Sequence, residues 1–231
     1  RADGVTALES KLGTRAHWDG VYERELRNFA HDPSDEGVDW FSDDVGDRLM
    51  EYVAEHCPLE DGVLDLGCGS GRDCYVASKL VGPKGRVTGV DMTPQQLDVA
   101  RKHQDAYAST IGYANMEFIQ GTIEDLSAIP SDSIDVIISN CVVNLSPDKP
   151  AVLKEAYRVL RHGGEFYFSD VYGDRRLPKA LTQHKILVGE CIGGALYEQD
   201  FLRIARRVGF EDPRVLDSAP IDVKDPQLIE L

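Results

Sequence analysis

Three closely spaced glycines could hold a ligand against the polypeptide backbone. Gly67, Gly69 and Gly71 follow the apolar run 63–66, and Arg72 comes directly after the last of them. Glycine allows tight turns and lets a ligand approach the backbone closely. Ligands of open α/β sheets bind beyond the carboxyl ends of the strands, so a glycine loop in this place predicts a binding site. The alternative is that the three glycines form only a turn.

An acidic residue, Asp91, follows the next apolar run, 87–90, and could act together with this loop. A carboxylate in that position can accept hydrogen bonds from both hydroxyls of a ribose. The loop of dinucleotide-binding proteins requires Gly or Ala where this chain has Arg72, which argues against NAD. A glycine loop with an acid, but without pyrophosphate geometry, suits S-adenosyl-L-methionine, whose sulfonium and amino-acid groups take the place of phosphate.

Three cysteines are predicted near the ends of the strands. Cys74 lies in the first turn after the glycine loop, Cys141 directly after the fourth predicted strand, and Cys191 beyond the fifth. The start of a helix lowers the pKa of a thiol, so we expect Cys74 to be a thiolate. Three converging thiolates would form a soft trigonal site, suited to a thiophilic ion rather than to Mg²⁺ or Ca²⁺.

The alternative for every cysteine is burial as a small apolar side chain, which is the commoner case for a single free cysteine. Cys68 occupies a small-residue position in the glycine loop and Cys57 precedes the first strand, so both are assigned to this class. The sequence has no CxxC spacing of the kind that holds structural zinc.

The elements that carry these residues alternate between strands and helices. This alternation indicates parallel βαβ units with right-handed crossovers, hence a doubly wound, mostly parallel Rossmann-like α/β sheet with helices on both faces. Strands are predicted at 63–66, 87–90, 116–119, 134–138 and 165–169, and helices at 44–56, 72–80, 94–110 and 148–160. Two further helices, near 178–190 and 198–208, and a weak strand at 214–216 are predicted after them.

The chain divides into a helical leader, residues 1–56, and one α/β domain, residues 57–231. We expect the leader to cover the cofactor site. Nothing after Pro220 has the pattern of a last antiparallel strand, so we expect either a truncated chain or a partner that covers the sheet edge. The first residue is Arg1 rather than Met, which also indicates a trimmed or partial chain.

The charge of the chain excludes some partners. Its 25 Lys and Arg against 40 Asp and Glu give a formal net charge of −15. Such a surface repels phosphate backbones and anionic lipids, so neither nucleic acid nor a membrane is an expected partner. No apolar stretch approaches the length of a membrane span, and the five cysteines are not spaced like a secreted disulfide framework. We therefore expect a cytoplasmic protein with reduced thiols, of unknown oligomeric state.

The order of the motifs along this chain resembles that of class I S-adenosylmethionine-dependent methyltransferases. The glycine loop comes first, followed by Asp91 and the segments after strands 2 and 3. The resemblance implies that Asp65 and the three glycines contact the methionine part and that Asp91 binds the ribose. It places Asn140, after strand 4, beside the reacting centre. The residues that it implies around the adenine are Met92, Ile123 and Glu124.

Between residues 63 and 198 the chain is similar to the arsenite methyltransferases. The matching stretches are 71–76, 89–93, 139–145, 147–149, 155–160, 163–165, 168–172 and 189–197. The resemblance implies that Cys141 and Cys191 bind As(III) and that Cys74 takes part in thiol exchange and disulfide chemistry. The methyl group would pass in line to the lone pair of thiol-bound arsenic. No general base is needed, so His162 and His184 are expected to be surface or capping residues.

The leader departs from that family. It has no cysteine before Cys57, and 11–26 together with Trp40 and Phe41 resembles the start of the elongation-factor lysine methyltransferases. The missing leader thiol is expected to slow or alter arsenic turnover. The favoured function is methylation of trivalent arsenic with a thiol reductant. The alternatives are a protein lysine methyltransferase and a catalytically idle fragment that binds S-adenosylmethionine or soft metal ions.

Overall fold

The structure is a computed structural model that describes residues 43–57, 62–183, 187 and 191–221. The leader before residue 43, most of the chain between 184 and 190 and the end of the chain after 221 lie outside the described residues. Predictions about those segments, including the aromatic pair at Trp40 and the role of His184, are therefore not addressed by the structure.

Five parallel strands form one sheet in the order β3-β2-β1-β4-β5. The strands are β1 Gly62–Leu66, β2 Arg86–Asp91, β3 Met116–Gln120, β4 Ile134–Asn140 and β5 Leu160–Ser169. The strand order reverses between β1 and β4, and the crevice beyond the carboxyl ends of these two strands is where such sheets bind ligands. The predicted doubly wound, Rossmann-like fold is confirmed.

Helices cover both faces of the sheet. They are α1 Asp43–His56, α2 Arg72–Val81, α3 Pro94–Ile111, α4 Lys149–Val159, α5 Lys179–Thr182 and α6 Glu198–Val208, with a short 3-10 turn at Val143–Leu145. Local sequence sets their ends. Pro94 occupies the first turn of α3, and Gly112 ends that helix at φ 88°. Asp148 begins α4, where its side chain accepts a hydrogen bond from the N–H of Ala151.

The core lies in separate layers on the two faces of the sheet. On one face, α1, α2 and α3 pack through side chains such as Val53, Ala77 and Leu97. On the other face, α4 packs through Val152 and Ala156. Because β1 and β4 are buried on both faces, the loops at their carboxyl ends start from a rigid base.

Two strand predictions need correction. Residues 214–216 do not form a strand, and Val215 and Leu216 are about half exposed. A short apolar run becomes a strand only where a neighbouring strand takes its backbone hydrogen bonds. In contrast, β5 begins at Leu160, earlier than predicted. The pairing of β5 with β4 shifts in register between Ile134 and Val136, and the extra residues of β5 form a bulge there.

The helix predicted at 178–190 is described only in part, as the single turn α5. The other helix predictions agree with the structure to within one or two residues at each end. Within the described part of the chain, no helix combines the length and apolar character that crossing a bilayer demands.

Candidate functional site

The glycine loop is packed at both ends and open in the middle. Its three glycines, 67, 69 and 71, have φ values of 75°, 51° and 89°, a region that favours glycine. A Cβ on Gly67 would collide with the side chain of Val142, and a Cβ on Gly71 would lie 3.0 Å from the ring of Phe118. A Cβ on Gly69 would meet nothing within 4 Å. The loop therefore leaves room for a ligand directly over Gly69.

The carboxylate of Asp91 is fixed beside this open space. Its Oδ2 accepts a hydrogen bond from the N–H of Gly69 at 2.9 Å, and its Oδ1 accepts one from the N–H of Thr93 at 2.8 Å. Each carboxylate oxygen keeps a further lone pair, so Asp91 can still accept hydrogen bonds from two ribose hydroxyls. The open backbone over Gly69 and the adjacent carboxylate fit S-adenosylmethionine.

Asp65 and Cys74 form a buried hydrogen bond under the loop. The Sγ of Cys74 donates to Oδ2 of Asp65 at 3.3 Å, and both side chains are almost completely buried. Burial raises the pKa of Asp65 well above its ordinary value, and the nearby charge of Asp73 raises it further. Asp65 therefore lies at the base of the loop as a buried, hydrogen-bonded carboxyl group, whose raised pKa favours its neutral form.

The prediction that Cys74 is a thiolate is wrong. Burial raises the pKa of its thiol well above the ordinary value, and the hydrogen bond to Cys68 and the carboxyl of Asp65 raise it further. The loss of hydration outweighs the favourable field of the α2 amino terminus. Both sulfur atoms, of Cys68 and Cys74, lie against Gly89 of β2, at 2.7 and 2.9 Å from where its Cβ would stand.

Cys141 and Cys191 lie side by side at the end of β4. The Sγ of Cys191 donates to the backbone carbonyl of Cys141 at 3.5 Å. Both residues have positive φ, 55° for Cys141 and 60° for Cys191, and Asp132 is the only other non-glycine residue of the described chain that does. This conformation costs about 1–3 kcal/mol for a residue with a Cβ, and such strain concentrates at functional sites.

The three cysteines do not form the predicted trigonal site. Among the described residues, no three His, Cys, Asp or Glu side chains come together as metal ligands. The structure pairs Cys141 with Cys191, whereas Cys74 makes its contacts with Asp65 and Cys68. Their separation follows from the topology, because Cys74 faces the core layer under α2 while Cys141 lies in the loop beyond β4.

The other predicted site residues lie at the same edge in different settings. Asn140, the last residue of β4, accepts a hydrogen bond from the hydroxyl of Ser169 at 2.5 Å. Met92 is 61% exposed, whereas Ile123 is buried in the core layer of α4. Glu124 accepts a hydrogen bond from Ser146 at 2.5 Å, so the loop after β3 touches the segment that follows Cys141. Their roles toward a cofactor remain predictions.

The sequence alone assigned no role to three residues near Cys141 and Cys191. They are Asn144, Lys149 and Asp170, and all three lie in the stretches that are similar to the arsenite methyltransferases. Asn144 donates its backbone N–H to Asp170 at 2.8 Å and its side-chain amide to the carbonyl of Val171 at 2.5 Å. Lys149 donates to the carbonyl of Asn144 at 3.1 Å. Burial raises the pKa of Asp170 to about 6, although the N–H groups of Asn144 and Val171 and the charge of Lys149 oppose this. For Asn144 and Asp170, the position shortly after strands 4 and 5 was the signal available in the sequence.

The fold and this edge are those of a methyltransferase domain. The family model described as "Methyltransferase domain" matches residues 60–209. The crystal structure of CrArsM, an arsenic(III) S-adenosylmethionine methyltransferase from Chlamydomonas reinhardtii, superposes with a TM-score of 0.71 at 52% identity. That match covers 79% of this chain and 68% of CrArsM.

Curated relatives agree with the structural match. The arsenite methyltransferase of Aquipseudomonas alcaligenes is 58% identical over 176 residues, 74% of this chain and 51% of the relative. The arsenite methyltransferase of Homo sapiens is 51% identical over 170 residues, 72% of this chain and 45% of the relative. The chain thus belongs to the arsenite methyltransferase family, a group of S-adenosylmethionine-dependent methyltransferases, and spans about half the length of these curated relatives.

Proposed function

We propose that this chain transfers a methyl group from S-adenosylmethionine to trivalent arsenic held by Cys141 and Cys191. The observation that carries the proposal is the contact between the Cys191 thiol and the backbone carbonyl of Cys141. Both residues stand on strained backbone, at the edge of the sheet that also carries the glycine loop. Thiolates are soft ligands and suit a thiophilic ion. Two cysteine residues in contact at this edge of the sheet are more than a generic methyltransferase fold requires.

The residues of the chain act by positioning. Asp91 and the backbone over Gly69 would hold the nucleoside, and Asp65 supports the base of the loop. When bound, S-adenosylmethionine supplies an electrophilic methyl group on a sulfonium. The arsenic lone pair forms the new As–C bond while the S–C bond breaks and its electron pair stays on sulfur. Since the nucleophile is the lone pair itself, no side chain has to remove a proton, and alignment accounts for the rate.

A small-molecule thiol completes the reaction. Two protein thiols leave the third position of trivalent arsenic open for an external thiolate. After the transfer, arsenic is pentavalent, and oxidation of two thiols to a disulfide supplies the two electrons that return it to As(III). A reducing compartment such as the cytoplasm would provide these thiols, and none of the five cysteines, all of them among the described residues, is in a disulfide.

Turnover of As(III) tests the proposal directly. Purified protein, S-adenosylmethionine, a thiol and As(III) are combined, and arsenic species are separated by chromatography with elemental mass detection. We expect methylated arsenic from the wild type and none from Cys141→Ser, because one thiol no longer binds the ion. Cofactor affinity, measured by calorimetry, is expected to stay the same in this variant.

Cys57→Ser is the matched control. Cys57 is buried at the end of α1, where its thiol donates to Glu165, so this variant changes a cysteine outside the proposed site. It should methylate arsenic as the wild type does. A fully active Cys141→Ser would contradict the thiol site. A wild type that binds the cofactor without methylating arsenic would favour lysine methylation or an idle binding fragment.

A further inference from the structure

Lys149, in the first turn of α4, is a buried cation. The residue is only 8% exposed, and its Nζ donates to the backbone carbonyls of Asn144 at 3.1 Å and Ser146 at 3.0 Å. Removing an ammonium group from water is costly unless its hydrogen bonds are replaced. Here two carbonyl groups of one turn take the place of water and accept hydrogen bonds from the ammonium group. The ammonium group therefore holds that turn in place, and we call this contact a clamp.

The clamped turn is the one that follows Cys141. It consists of residues 141–146 and includes the 3-10 turn Val143–Leu145. Asn144 is its centre, because Asp170 accepts from its N–H and its side-chain amide donates to the carbonyl of Val171. The turn is therefore attached on one side to α4 through Lys149 and on the other to the end of β5.

The second thiol segment packs against the same carbonyl group. A Cβ on Gly194 would collide with the carbonyl oxygen of Asn144, so the segment 191–195 lies in direct contact with the clamped turn. The thiol of Cys191 donates to the carbonyl of Cys141. The carbonyl of Asn144 thus meets both the ammonium of Lys149 and the backbone of the segment that carries Cys191.

We propose that Lys149 is the positioning residue that sets the spacing of Cys141 and Cys191. Its ammonium holds the Asn144 carbonyl in place, and Gly194 then seats the Cys191 segment on that carbonyl. The role of this spacing in arsenic binding rests on the proposed function. Lys149 acts on the thiol segments through Asn144, and its charge also interacts with the Cys191 thiol.

The experiment measures the spacing of the thiols without arsenic. Dibromobimane becomes fluorescent when it joins two neighbouring thiols, and peptide mass spectrometry identifies the joined pair. In Lys149→Met, we expect cross-linking of Cys141 to Cys191 and As(III) affinity each to fall about tenfold, the effect of losing hydrogen bonds to a charged group. Lys154→Met, at an exposed position of the same helix, should match the wild type.

A second variant guards against simple loss of folding. Gly194→Ala keeps Lys149 but pushes the Cys191 segment away from Asn144, so it should reduce cross-linking and As(III) affinity in the same way. Cofactor affinity measures structural damage, because a general loss of stability would lower it together with the arsenic affinity, and we expect it to stay unchanged.

Two outcomes separate this inference from the proposed function. Wild-type cross-linking rates for Cys141 and Cys191 in both variants would overturn the positioning role. If the wild type cross-links the pair and Lys149→Met does not, but neither binds As(III), the positioning role stands and the proposed substrate is wrong.

Discussion

At the scale of single residues, backbone conformation and burial distinguish the cysteines. Cys141 and Cys191 hold positive φ, which a residue with a Cβ adopts only when its surroundings enforce it. Cys74 instead lies inside the core, where burial raises the pKa of its thiol. Residues of one type therefore serve different purposes, and the difference follows from what surrounds each sulfur atom.

Asp91 carries the residue-scale prediction for the cofactor. Replacing it with Ala removes a carboxylate that can accept hydrogen bonds from two ribose hydroxyls, and the N–H of Gly69 loses its acceptor. We expect Asp91→Ala to weaken S-adenosylmethionine binding by about 1–3 kcal/mol, as for hydrogen bonds to a charged group. Isothermal calorimetry measures this change.

The control for Asp91 is an exposed acid on the helix that follows β2. Asp98 lies on the exposed side of α3, near Arg101, so Asp98→Ala should leave cofactor affinity unchanged. Equal affinities for the wild type and Asp91→Ala would remove Asp91 from the cofactor site.

At the scale of elements, the glycine loop and the segment after β4 are packed against each other. Gly67 leaves no room for a side chain because Val142, next to Cys141, occupies the space above it. On the far side of the crevice, Ser146 donates to Glu124 of the loop after β3. The segment with the first thiol is thus enclosed by the two loops that are expected to hold the cofactor.

This contact gives a prediction that separates close packing from backbone strain. Gly67 and Gly112 both have positive φ, but a Cβ on Gly112 would meet nothing within 4 Å. Gly112→Ala should lower the free energy of unfolding by about 1–2 kcal/mol, the cost of the left-handed conformation alone. Gly67→Ala should cost more and should also weaken S-adenosylmethionine binding, as measured by urea unfolding and calorimetry.

A rescue variant checks the cause of that difference. Val142→Ala removes the methyl groups that the new side chain would strike, so the double variant Gly67→Ala with Val142→Ala should recover part of the cofactor affinity. If Gly67→Ala and Gly112→Ala lower the free energy of unfolding equally and neither weakens S-adenosylmethionine binding, the close approach of the two segments does not contribute to cofactor binding.

At the scale of the whole molecule, buried polar groups join the sheet, α4 and the thiol segments. Asp170 follows β5 and accepts hydrogen bonds from the N–H groups of Asn144 and Val171, while the Lys149 ammonium lies nearby. Burial raises the pKa of Asp170 to about 6, so the protonation of one carboxyl affects the stability of the entire fold.

The sign of the resulting pH dependence follows from the raised pKa. Between the ordinary value of 3.8 and about 6, the folded protein keeps a proton on Asp170 that the unfolded chain has released. The contribution of Asp170 to the free energy of unfolding is therefore largest at low pH. It falls as the pH rises through this range, in total by of the order of 3 kcal/mol.

Asp170→Asn tests this dependence by urea unfolding between pH 4 and pH 7. The free energy of unfolding of the wild type minus that of Asp170→Asn should fall as the pH rises from 4 to about 6. For Asp174→Asn the corresponding difference should stay nearly constant from pH 4 to pH 7, because the hydrogen bond with the neighbouring Arg175 lowers the pKa of exposed Asp174 and moves its titration below this range. A wild-type-minus-Asp170→Asn difference that is constant with pH would contradict the raised pKa.

The sequence by itself was enough to predict the parallel sheet, most helix bounds, the glycine loop and Asp91, since local periodicity and glycine spacing carry that information. It could not predict that residues 214–216 stay unpaired, because strand formation depends on a neighbour. The pairing of Cys141 with Cys191, the burial of Cys74 beside Asp65 and Cys68, and the clamp at Lys149 were decided only by tertiary structure. Cys141 and Cys191 lie 50 residues apart in the chain. The other two arrangements depend on burial, and desolvation, which sets the charge of Cys74 and Asp170, exists only once the core has closed around them.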